Sequence, residues 1–394
     1  MAKPIYLDNS TTTKPSESTV QKMLPYLTAM WGSPSAPHQK GQELFPAIED
    51  ALKGIYEMLG AQEADDVIFT SCGAEAVNHV LFSAYYDITR NTGKNQFITS
   101  NIDEAPTLMS IGRLEQLGCV GKLVEANPLG YVTAQSIADA FTPRTAMVSL
   151  AWANGLTGVI NPVSEIAAAC KARGVILHLD ATHILGKLYF DLEEVGAQLI
   201  SFNGDQLHAP KGSGALYIKG GSKCSPFILG GSEQAGYRAG ALNVPCLVAL
   251  GSAAREVIDQ RDLLCTEVAR LRNKLEVGIL DGFAAALPLF RDQERLPNCF
   301  SMAFPGIANE AMLYALNRKG VYASIGGGAF QQIGLVLMAS GIAETVAHTA
   351  INFSLSRETN ECEVDAAIEI IVDTAKRLAK LSSHIEKGKE TLWD

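Results

Sequence analysis

The sequence has no apolar run approaching the roughly 18 residues that a membrane span requires. No membrane association is expected. The opening residues, MAKPIYLDNS, turn polar at once and lack the apolar stretch of a secretion signal. A cytoplasmic protein is the default expectation. Basic residues are in deficit: 32 Lys and Arg against 42 Asp and Glu leave a net charge of −10. Phosphate backbones are held by clustered Lys and Arg, so a nucleic-acid partner is not expected. A basic protein partner is compatible with this charge. The eight cysteines, Cys72, Cys119, Cys170, Cys224, Cys246, Cys265, Cys299 and Cys362, never fall at CxxC spacing. No metal site is expected, and the thiols read as buried and reduced.

What is present is apolar bulk. Hydrophobic residues make up 47% of 394 residues, enough for a sizeable core and for two domains. Short β-rich runs at 67–71, 97–101, 146–152, 175–181, 199–204 and 215–220 read as strands. Helical patterns at 75–86, 109–118 and 161–174 lie between them. The last opens on Asn161-Pro162 and closes on Gly174, the usual start and stop signals. Alternation of apolar strands with helices predicts an α/β fold with a mostly parallel sheet covered on both faces. Ligands of such sheets bind beyond the carboxyl ends of the strands. From about residue 255 the pattern changes to a long helix (253–280), a smaller α+β region and a further helix (363–388). A large domain over 15–260 and a small one formed by 1–14 with 261–394 is the expected division.

Several segments carry a resemblance. IYLDNSTTT (5–13) is similar to IYLDNAATT, and FTSCGAEAVN (69–78) to FTSGATEANN. ANGLTGVINPVSEIA (153–167), HLDATHILGK (178–187), APKGSGALYI (209–218), GGSEQAGYRAGALNVP (230–245) and NFSLSRETNECEVD (352–365) follow in the same order. Together they resemble the cysteine desulfurase family of the class V aminotransferase group. The resemblance implies a fold type I pyridoxal-phosphate architecture with a seven-stranded sheet, usually a homodimer. It also implies sulfur delivery to an acceptor or iron–sulfur scaffold protein. In that family a lysine holds the cofactor as a Schiff base, and a loop cysteine accepts the sulfur.

Carried over position by position, the resemblance places Gln206 at the Schiff-base lysine, within NGDQLHAPKG (203–212). An amide cannot form an imine. Lys211 matches a second, turn lysine. Asp205 stands where a phosphate-binding histidine is expected, and Asn203, Ala74 and Ala241 stand at three further phosphate positions. Like charges about 4 Å apart cost roughly 4 kcal/mol at an effective dielectric near 20, so Asp205 reads as hostile to phosphate. Glu104 replaces the ring-stacking histidine, and Ala329 replaces the sulfur-accepting cysteine. Asp180, Asn154, Arg238, His38 and the substrate-clamping Arg357 are retained. His183 replaces a glutamine beside the ring. Asp180, Asn154, His183, Asp205 and Gln206 form the expected residual pocket. A structural reading of the same set is a buried polar network, with Asp180 paired to His183 or Arg357.

Three functions follow. The main expectation is a homologue that has lost pyridoxal phosphate and catalysis and acts as a binding or scaffold protein in sulfur or iron–sulfur metabolism. The second is a divergent enzyme using pyridoxal or pyridoxamine phosphate on a small amino acid, with His183 or His208 as base. The third is a pocket repurposed for a cation by Glu104, Asp180 and Asp205.

Overall fold

The computed structural model describes residues 4–327 and 331–390, with side chains for all of these except residues 331 and 383–390. Ala329 lies outside the described residues. A short strand, β1 (Ile5–Tyr6), comes first. Seven strands form the main sheet: β2 (Asp66–Thr70), β3 (Gln96–Ser100), β4 (Val120–Val124), β5 (Thr145–Ala151), β6 (Ile176–Asp180), β7 (Leu199–Asn203) and β8 (Gly214–Ile218). Their order is β2-β8-β7-β6-β5-β3-β4. Only β8 runs against its neighbours. The other pairings are parallel. The expected α/β class with a mostly parallel seven-stranded sheet is what the chain adopts.

Central strands are apolar on both faces because helices cover both. All seven residues of β5 are buried. One core gathers Ile55, Leu150, Leu177, Leu179, Phe202 and Leu250. Another packs Val77, Val80, Leu81, Phe97 and Leu216. The helix Val163–Arg173 stops at Gly174, whose φ of 58° suits a left-handed C-terminal cap. β4 was missed in the sequence because it is an edge strand with most of its residues exposed.

The rest of the chain adds β9 (Leu287–Leu289), β10 (Cys299–Ala303), β11 (Val321–Tyr322), the ribbon β12 (Gly326–Gly327) with β13 (Gln331–Gln332), and β14 (Ala350–Ser354). β1 pairs with β11, which ties the N-terminal segment to this region. Ile5 and Leu7 share a core with Leu275, Phe300, Phe353 and Ile371. The long helix read at 253–280 begins earlier, at Val244, and continues through a π turn at Leu264–Val268 into Ala269–Gly282. No helix among the described residues is long and apolar enough to cross a membrane. All eight cysteines are free: five are buried, Cys72 and Cys265 are half-buried, and Cys362 is exposed.

Candidate active site

The carboxyl ends of β3, β5, β6 and β7 converge on one cavity of about 190 Å³. Glu104 reaches it from the loop after β3, Asn154 and Gly155 from the loop after β5, and His183 from the turn after β6. Gln206 reaches it from the 3-10 turn after β7. This is where a parallel sheet leaves its strand-end loops free to line a crevice.

Glu104 and His183 form a pair. His183 Nε2 lies 3.0 Å from Glu104 Oε1. Gly155 makes room for it, since a Cβ there would sit 2.3 Å from His183 Nε2. Asp103, beside Glu104 in the cavity wall, accepts the backbone N–H groups of Glu104 and Ala151. Burial nevertheless pushes its carboxyl up to about 7. Asp180, at the end of β6, accepts the Thr182 N–H at 2.9 Å. Its carboxyl is also raised, by burial first and then by the nearby Glu104. Asp180 itself does not line the cavity, and it pairs with neither His183 nor Arg357.

Asn154 is spent on the backbone. Its Nδ2 donates to Ile102 O, and its Oδ1 accepts from Leu156 and Thr157 N–H. It shapes the loop that presents Gly155. Gln206 Nε2 donates to Ser10 O at 3.0 Å, while its Oε1 is buried without a protein partner. His183 Nδ1 is likewise buried and without a protein partner.

Asp205 lies outside this lining. Its Oδ2 accepts from Thr12 Oγ1 at 2.8 Å. Asp205 is also close enough to Lys187 to favour that lysine's charged form. Asn203 Oδ1 accepts from Gly73 N, at the start of the helix Gly73–Ala84. Arg238 makes a two-pronged bond to Glu75, and His38 and Lys211 are exposed. Arg357 bonds Glu256 through Nη2, and its Nη1 is buried without a protein partner. It lines a second, small cavity of about 20 Å³ together with Gln206, His208 and Lys187. His208 holds a left-handed backbone (φ 63°), and burial pushes its imidazole down to about 4.

The three carboxylates expected to converge on a cation do not share the cavity wall: only Glu104 lines it. No group of three or more potential ligands among the described residues could hold a metal. Lys187 and Asp103 were not singled out from the sequence. The available signal was a lysine inside the apolar run ILGKLYF (184–190).

The chain is similar to known proteins along nearly its whole length. The profile of the family described as aminotransferase class-V matches residues 5–366. A cysteine desulfurase of Bradyrhizobium diazoefficiens is 35% identical over 95% of this chain and 95% of its own. The cysteine desulfurase NifS of Azotobacter vinelandii is 33% identical over 96% of this chain and 94% of its own. A solved NifS-like protein superposes with a TM-score of 0.89 at 28% identity, covering 95% of this chain and all of that one.

These findings overturn two expectations. Relatives named for an enzyme activity, matched end to end, count against a scaffold without catalysis, and the family points to pyridoxal phosphate rather than to no cofactor. The structure supplies the physical reason. The substitutions did not close the pocket. The added carboxylates are also not bare charges, because Glu104 is held by His183 and Asp205 by Thr12 with Lys187 nearby. Each carboxylate has one oxygen engaged, while Asp205 Oδ1 stays buried without a protein partner and no ion pair neutralises Asp205. The lining fits a ring cofactor held without a covalent bond to Gln206. The orphaned Gln206 Oε1 and His183 Nδ1 are buried polar atoms of the kind that such a ligand satisfies.

Proposed function

We propose, because this chain belongs to the aminotransferase class-V family, that it is a divergent pyridoxal- or pyridoxamine-phosphate-dependent enzyme acting on a small amino acid, as its cysteine desulfurase relatives are named to do. The observation that carries this reading is the open cavity at the strand ends, walled by Glu104, His183, Asn154 and Gln206. When bound, the cofactor supplies an electron sink for a substrate carbanion. Asp180 stands at the position that the family uses as partner of the ring nitrogen, here behind the cavity wall rather than in it. His183, with Nε2 engaged by Glu104, would turn Nδ1 to the ligand and hold or pass a proton there. Gln206 takes the place of the Schiff-base lysine and offers only hydrogen bonds. Arg357, braced by Glu256, keeps Nη1 for a substrate carboxylate. Ala329 brings no thiol to take the sulfur, so the acceptor is a small thiol or a protein partner. A division into units of 15–260 and 1–14 with 261–394, a homodimeric state and a cytoplasmic location belong to the same reading.

Calorimetric titration with pyridoxal phosphate and, separately, pyridoxamine phosphate tests it, paired with assays for sulfide and alanine released from cysteine. Saturable binding of at least one cofactor is expected, weakened by Asp180→Ala. The reading fails if neither cofactor binds.

A further inference from the structure

Lys187 stands out among the described residues. It lies in an apolar run after β6 and is 5% exposed. Its Nζ is buried and has no protein hydrogen-bond partner. A buried ammonium without a partner is costly, and the ordinary outcome is that the group gives up its proton. Burial accordingly brings the amine down to about 8, with Cys299 and Asp205 pulling the other way. No ion pair to Asp205 holds it in place.

Its position gives this amine an outlet. Lys187 and Gln206 both line the small cavity of about 20 Å³. Gln206 also lines the large cavity. One amide side chain is therefore the shared wall. A single side-chain hydrogen bond, from Nε2 to Ser10 O, holds it. The two spaces meet at Gln206, and the amine lies on the far side of it from the large cavity.

We propose that Lys187 is the carbonyl-reactive amine of this site. Neutral Nζ adds to the carbon of an aldehyde that enters past Gln206. A nitrogen–carbon bond forms, the carbon–oxygen bond breaks, and the oxygen leaves as water with the two amine hydrogens. The product is an imine. A lysine desolvated in an apolar setting is a competent nucleophile because far more of it is neutral near physiological pH than of an exposed lysine. The inference rests on the reading that the cavity accepts pyridoxal phosphate.

The full-length protein is incubated with pyridoxal phosphate, reduced with borohydride, digested and mapped by mass spectrometry. Pyridoxamine phosphate, which has no aldehyde, is titrated in parallel to test cavity binding alone. One reduced phosphopyridoxyl group on Lys187 is expected. It should disappear in Lys187→Arg and Lys187→Met, with circular dichroism confirming that each variant is folded. Gln206→Ala, which removes the wall, should speed its formation several-fold. A group on Lys211 or any other lysine overturns the inference, as does no group at all when pyridoxamine phosphate binds. If neither compound binds, the functional reading above falls with it.

Discussion

Gly155 shows how substitutions at this site depend on one another. A Cβ at that position would meet the His183 ring at 2.3 Å, and the ring is already fixed by its bond to Glu104. Gly155→Ala is therefore expected to cost about 1–3 kcal/mol, the usual range for overpacking. Chemical denaturation checks this. His183→Ala should restore much of the loss in the double variant, since residues in contact couple. Strictly additive effects would show that the ring and the glycine are independent. The identities of Glu104, His183 and Gln206 could be read from the sequence by the motifs on either side. Their partners could not. His183 and Glu104 are 79 positions apart, and Thr12 and Asp205 are 193 apart.

At the level of elements, the central strands were legible because burial on both faces leaves an apolar run with little alternation. β4 escaped because its exposed edge position leaves a mixed run, VGKLV. The helix Ala269–Gly282 carries an acid, Glu276, that is 1% exposed. Arg295 reaches Glu276 at 3.1 Å and Arg272 at 3.6 Å. This cluster joins the helix to the segment before β10, beside the core that contains Leu275 and Phe300. Glu276→Ala leaves two enclosed guanidinium groups without their acid. A loss of about 3–5 kcal/mol is expected, the range for breaking a buried pair. Thermal unfolding followed by circular dichroism would register it, and a loss below 1 kcal/mol would mean that water serves the arginines equally well.

For the whole molecule, the strand order and the shared core of Ile5 and Leu7 with the C-terminal region make the N-terminal segment part of a distant unit in sequence. Several large apolar side chains remain uncovered in the single chain, among them Trp31 at 69% and Leu229 at 77% exposure. Surface of that kind is common at interfaces between copies. Sedimentation velocity is expected to show a dimer at micromolar concentration, dissociating in Leu229→Asp. A monomer at all concentrations would remove the second copy from the proposed function.

The sequence by itself determined the fold class, because hydrophobic periodicity records which faces are buried. It also determined the residue types at the family positions, because ordered motifs locate them without coordinates. Only the tertiary structure decided what those residues do to one another. Glu104 and Asp205 looked like isolated negative charges when read singly. In the fold His183 and Thr12 engage them, Lys187 lies near Asp205, and the cavity stays open. Electrostatic and packing energies depend on distances between groups that the chain brings together from far apart. A substitution that is damaging in isolation can thus be accommodated once its partner is in place.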